Sequence, residues 1–204
     1  MNAVAGEFID SLRITEAPIE VLQQVEKYLG NALSLLRPCE QPGPYSQALH
    51  EVEMGSFFNK ELSHHKEMMP YSPVTGWFNP VSPRVEYHVD GKTLKGFCVF
   101  PVRFAGSPGA LHGGMIAATL DEIMGMVTFL NGAGSYTGTL NVRYHKPTPI
   151  LREVEMTAKI VKTEGRKVYC TGEILDSGVV TASAEAIFIQ PALKPEIDDL
   201  EVTP

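Results

Sequence analysis

The sequence predicts an α+β fold: an antiparallel β-sheet wrapped around one long central helix, with an N-terminal helical extension. Two observations carry the prediction. The stretch Ala110–Leu130, ALHGGMIAATLDEIMGMVTFL, is apolar on nearly every face from Met115 onward, and such a helix is buried rather than laid on a surface. After Pro83 the hydrophobic period, helical until then, changes to two, which is the period of half-buried strands.

In chain order, residues 18–37 predict a helix, because Pro18 suits a first turn and Val21, Leu22, Val25, Leu29, Leu33 and Leu36 recur at helical spacing. Pro38 and Pro42-Gly43-Pro44 end it. A more polar helical run follows from Ser46 to about Met69. Residues 70–83 hold four prolines in fourteen residues, which excludes regular structure and reads as a linker or a lid. Val85, Tyr87 and Val89 then alternate with polar residues, and Asp90-Gly91 is a hairpin signal into a strand over 92–104. A turn at 106–109 leads into the central helix, which Asn131-Gly132 stops. Strands are expected over 136–146, 154–163, 167–175 and 179–190, the last pair joined at Ser177-Gly178. The implied domains are a helical extension over 1–69, the sheet-and-helix domain over 70–190 and a loose acidic tail over 191–204.

Composition narrows the function. With 44% hydrophobic and 20% charged residues the chain is an ordinary globular one. Its net charge of −7 argues against nucleic acid as a partner. Cys39, Cys98 and Cys170 are an odd, scattered set that fits a reducing compartment. The first twenty residues resemble neither a signal nor a transit peptide, so a cytoplasmic location is expected. The apolar run of the central helix, about sixteen residues broken by Asp121 and Glu122, falls short of a membrane span. His50, His64, His65 and Glu61 match no metal-ligand spacing, so no metal is expected. Gly132, Gly134 and Gly138 follow a helix, not a strand, which excludes a dinucleotide loop. No Gly-x-Ser-x-Gly elbow is present, which argues against a serine hydrolase.

His112-Gly113-Gly114 opens the central helix, where backbone N–H groups have no intrahelical partner and the dipole favours a developing oxyanion. Without Cβ atoms, the glycines admit a ligand close to the backbone. Asp121, nine residues after His112, is a carboxylate in an apolar helix and asks for an explanation. It would activate water, or attack, at a carbonyl held by Gly113 N–H; the plainer reading is a solvated helix edge shared with Glu122. Gly113 and Asp121 are eight residues apart, roughly 12 Å of helix rise, whereas a base works within about 3 Å of its proton. One helix therefore serves both roles only across two subunits, which predicts a homodimer.

The run HGGMIAATLDE, then GTLNVRYHKPTP and EGRKVYCTGEILDSG, resembles the hotdog-fold acyl-CoA thioesterases of the phenylacetate-pathway and hydroxybenzoyl-CoA types. The resemblance covers about 70–190 and implies a hotdog fold, an acyl-CoA substrate, a site shared across a dimer or a dimer of dimers, and no cofactor beyond the coenzyme A of the substrate. By position it implies Gly113 as oxyanion donor, Asp121 as base or nucleophile, and Thr137, sixteen residues after Asp121, as the group that orients water. His112 either holds the loop or contacts the thioester oxygen. Aromatic-acyl members carry Asn where this chain has Gly106, and FAGSPGALHGG is closer to the fatty-acyl branch. Gly114 and Asn141, in the same motifs, are expected on the substrate side. For the CoA phosphates, local charge points to 143–167, where seven basic residues face three acids; Arg143, Lys146, Arg166 and Lys167 are the candidates. A hotdog hydratase or dehydratase and a non-catalytic acyl-CoA binder are the alternatives, distinguished by product analysis on an enoyl-CoA and by whether free CoA appears.

Overall fold

The computed structural model describes residues 1–40, 69–132 and 134–191. The expected helix over 46–69, the histidines at 50, 64 and 65 with Glu61, and nearly all of the tail lie outside them. The described chain forms two compact units, 1–84 with 101–103 and 85–100 with 104–191.

In the first unit, helix α1 (Asn2–Ile14) and helix α2 (Ile19–Leu36) are followed by one 3₁₀ turn. Helix α2 matches the expected span. Helix α1 was not foreseen, and its sequence explains why: it has no capping side chain and its one buried residue is Gly6. What secures it is Arg103. The Arg103 guanidinium pairs with Asp10 and also donates to the carbonyls of Gly6, Val81 and Ser82, while the Arg103 backbone N–H reaches Asp10 Oδ1 at 3.0 Å. Both side chains are largely buried, at 12% and 23% exposure. A Cβ on Gly6 would stand 3.1 Å from the Pro80 carbonyl. Removing the carboxylate strands a buried cation, so Asp10→Ala should cost about 2–3 kcal/mol and open 1–14 to limited proteolysis; unchanged protection would count against this anchor. The segment 70–83 lacks helix and strand, as expected. It is nonetheless a packed series of turns: Ser72 Oγ accepts from Val74 and Thr75 N–H, and Ser82 Oγ donates to Val74 C=O at 2.8 Å.

In the second unit the strands are β1 (Glu86–Asp90), β2 (Thr93–Val99), β3 (Ala105–Ser107), β4 (Ala110–Leu111), β5 (Tyr136–Tyr144), β6 (Glu153–Glu164), β7 (Lys167–Asp176) and β8 (Val179–Ile189). The main sheet is antiparallel in the order β1-β2-β6-β7-β8-β5. Its hairpins close on two residues, with Ser177 and Gly178 both at positive φ as such a turn demands. The strand expected over 92–104 stops at Val99, since Pro101 cannot donate to a ladder and 102–104 turn as 3₁₀.

The central helix, α3, runs Gly113–Leu130 with His112 as N-cap; Ala110 and Leu111 pair with β3 instead of starting it. Its 18 residues are long and apolar enough to cross a membrane by length and composition, which corrects the expectation that the run is too short. Its own burial gives the better account: Ile116, Leu120, Ile123, Met124, Met126 and Val127 are buried, as are Leu94, Met156, Ile174 and Phe188 on the sheet. Small residues let the helix approach closely. Ala182, Ala184 and Ala186 of β8 are buried, and a Cβ on Gly172 of β7 would meet Met124 and Leu120 at 3.2–3.3 Å. The sheet curls round this helix in the hotdog arrangement.

Candidate active site

One side of α3 escapes the sheet. Gly114 and Ala118 are exposed, and Asp121 is half-buried, so the carboxylate is less enclosed than an all-apolar helix suggested. Asp121 does not stand alone: Thr137 Oγ1 donates to its Oδ1 at 2.8 Å. Glu122, the next carboxylate, faces elsewhere. Burial and then this charge push the Tyr87 phenol far above its usual range.

That Thr137 reaches α3 at all depends on a bulge. Leu140, Val142 and Tyr144 pair with Ala186, Ala184 and Ala182, so they share the helix-facing side. Thr137 is an odd number of residues from Leu140 and in a regular strand would point away. The register slips between Thr137 and Thr139, and Thr137 pairs with buried Phe188 instead. The extra residue is Gly138, where a Cβ would lie 2.9 Å from Ile189 Cγ1 and 3.2 Å from Ile187 O.

At the helix start, the backbone N–H groups of Met115 and Ile116 reach His112 C=O at 2.9 and 3.1 Å. The Gly114 N–H donates to His112 Nδ1 at 3.0 Å. Of the first four amides, that of Gly113 is left without a partner among the described residues. An imidazole accepting at Nδ1 carries its neutral-form proton on Nε2, so His112 caps the helix and still presents a donor to solvent. The β3–β4 hairpin fixes it from behind: His112 N–H donates to Phe104 C=O at 2.9 Å. A Cβ on Gly106 would stand 2.7 Å from His112 Cα. Any side chain at position 106, an asparagine included, would therefore force the hairpin and His112 apart.

The expected phosphate contacts are not gathered with these groups. Asn141 and Arg143 face the opposite side of β5, in an open cavity of about 360 Å³ shared with Glu173 and Glu185, whose charge offsets the guanidinium. Lys146 lies beyond the strand, and Arg166 and Lys167 sit at the β6–β7 turn. Among the described residues no cluster of three or more His, Cys, Asp or Glu offers a metal site.

Residues 108–183, which hold the helix start, Asp121, Thr137 and the strand pairs beneath them, match the family model described as the thioesterase superfamily. Acyl-coenzyme A thioesterase THEM4 of Rattus norvegicus is 37% identical over 97 residues, 46% of this chain and 42% of that protein. Acyl-coenzyme A thioesterase THEM5 of Homo sapiens is 36% identical over 93 residues, 45% and 38% of the two chains. The chain thus spans about two fifths of the length of these curated relatives. A crystal structure of a thioesterase superfamily protein superposes with a TM-score of 0.78 at 26% identity, covering 92% of both chains. Thioesterase superfamily member 2 of zebra fish shares the fold, with a TM-score of 0.52 at 22% identity over 59% of this chain and 88% of its own.

Sequence reasoning brought out His112, Gly113, Asp121 and Thr137 but gave no role to three of their neighbours. Tyr144, within the Leu-Asn-Val-Arg-Tyr run, donates its hydroxyl to Gly113 C=O at 3.0 Å. Gly106 and Gly138 shape the backbone on either side. A lone glycine inside a strand pattern is itself a bulge signal, so Gly138 was within reach of the sequence.

Proposed function

We propose that the domain hydrolyses acyl-CoA thioesters to a free acid and CoA, at a site completed by two copies of the chain. The observation that carries this reading is the pairing of Asp121 with Thr137 at mid-helix while the Gly113 amide, at the start of the same helix, has no partner among the described residues. The thioester carbonyl oxygen accepts from Gly113 N–H, which stabilises the charge of the tetrahedral intermediate. Asp121 either takes a proton from water that Thr137 helps to place, or attacks the carbonyl to give a transient anhydride that water cleaves. As the C–S bond breaks, the first route returns the proton on Asp121 to the sulfur; in the second CoA leaves as the thiolate and takes its proton from the water that cleaves the anhydride.

Gly113 and Asp121 lie on one unbroken helix, roughly 12 Å apart along its axis, so one carbonyl reaches both only if a second copy supplies one of them. Strand β5 ends the sheet, and Tyr136 and Tyr144 on it are 76% and 54% exposed; such an edge suits pairing with its own copy. We expect a dimer, or a dimer of dimers, by light scattering, with specific activity falling on dilution into monomer. Full activity in a monomer would reject the shared site.

The direct test is CoA release over a series of acyl chain lengths, followed with a thiol-reactive dye; no release at any length would reject the reaction. The protein's own background in that assay is predictable. Cys39 is exposed while Cys98 and Cys170 are buried, and burial pushes the Cys170 thiol up to about 12. One thiol per chain should react quickly in the native state and three after denaturation; a second fast thiol would contradict the burial.

A further inference from the structure

We propose that Tyr144 is a positioning residue for the oxyanion-binding amide, an inference that rests on the role of Gly113 set out above. Gly113 and Gly114 are adjacent glycines in a helix's first turn, the pair of residues least able to fix their own backbone. The peptide unit between them is gripped at both of its polar atoms. Its carbonyl, that of Gly113, accepts from the Tyr144 hydroxyl at 3.0 Å, and its N–H, that of Gly114, donates to His112 Nδ1 at 3.0 Å. With the following plane held at both ends, Gly113 can no longer exchange among the φ/ψ combinations a glycine allows, and the direction of its free N–H is set. The tyrosine ring reinforces this from the side, since a Cβ on Gly113 would be 3.5–3.7 Å from the ring atoms and the hydroxyl.

Strand β5 thereby holds α3 at two points. Thr137 engages Asp121, and Tyr144, seven residues on, engages Gly113. Both side chains face the helix only because the bulge at Gly138 changes the strand's parity between them. The strand sets the acid and the oxyanion donor in a common frame, and two copies meeting through their β5 edges would bring two such frames together.

Tyr144→Phe removes one oxygen atom and leaves the ring. We expect kcat on the best acyl-CoA of the chain-length series to fall about tenfold, with KM and melting temperature little changed. Amide exchange of residues 113–115 should speed up at least tenfold, read by hydrogen-exchange mass spectrometry. Thr139→Ala, on the outward face of the same strand, is the control and should alter neither. Wild-type kcat and exchange in Tyr144→Phe would overturn the assignment while leaving the thioesterase reading intact. A fall in kcat matched by an equal loss of melting temperature, with exchange raised throughout β5, would overturn it in favour of a purely structural tyrosine. A wild-type protein that releases no CoA removes the reading of the site, and this role with it.

Discussion

Asp121→Asn should lower kcat for CoA release by about 10³-fold, within the range a positioned general base contributes, while the protein keeps its fold and binds acyl-CoA as before. The expectation follows from what the substitution spares. Asparagine retains an oxygen at the Oδ1 position, where the Thr137 hydroxyl donates at 2.8 Å, so the local hydrogen bond survives. It loses the negative charge that either takes a proton from water or attacks the carbonyl. Asp121 is half-buried rather than sealed in the core, so neutralising it relieves little desolvation and stability should change by less than about 1 kcal/mol. Calorimetry and acyl-CoA binding measured beside the rate separate chemistry from folding. Undiminished hydrolysis would reject Asp121 as the reacting carboxylate under both mechanisms.

Gly106→Ala should be nearly as damaging by a different route. The added methyl would stand 2.7 Å from His112 Cα and 3.1 Å from its Cβ, and a backbone atom cannot swing aside as a flexible side chain can. The β3–β4 hairpin must part, and with it the 2.9 Å bond from His112 N–H to Phe104 C=O. His112 then drifts from the Gly114 amide and the first turn of α3 shifts. A displacement near 1 Å at a reacting centre costs about 10²-fold in rate, and the forced repacking costs about 1–3 kcal/mol in stability. The expected result is a loss of kcat with a lowered melting temperature. Gly109→Ala is the contrast: its Cβ meets nothing within 4 Å, but φ is +71°, so it should cost stability without reaching the helix start. Equal rates in Gly106→Ala and the parent would show that the hairpin does not fix His112.

The difference between what the sequence foretold and what needed coordinates has a physical basis. Helix α3 and the later strands were legible because their apolar residues are dictated by burial, and burial leaves a period. His112, Gly113 and Asp121 were legible because a glycine pair at a helix start and an acid in an apolar helix both break the local pattern. Helix α1 was not, because its ion-pair partner, Arg103, lies 93 residues beyond Asp10. Separation of that kind leaves no trace in a sequence window. Tyr144 failed for a related reason: an aromatic residue on a strand is ordinary, and only the approach of Gly113 C=O shows what its hydroxyl does. For the basic stretch at 143–167 a charge count leaves placement open: strand alternation sends Arg143 to the side occupied by Glu173 and Glu185.

The Arg103 anchorage bears on how far the chain can be trimmed. Its guanidinium is engaged by Asp10 and by the carbonyls of Gly6, Val81 and Ser82. A version begun at residue 70 would retain the arginine and the last two of these acceptors but lose the counter-ion and the Gly6 carbonyl. The cation would then need fresh solvation where helix α1 had lain. Trimming this protein to residue 70 and beyond therefore calls for a simultaneous change at position 103, to a neutral side chain that does not need the missing acid.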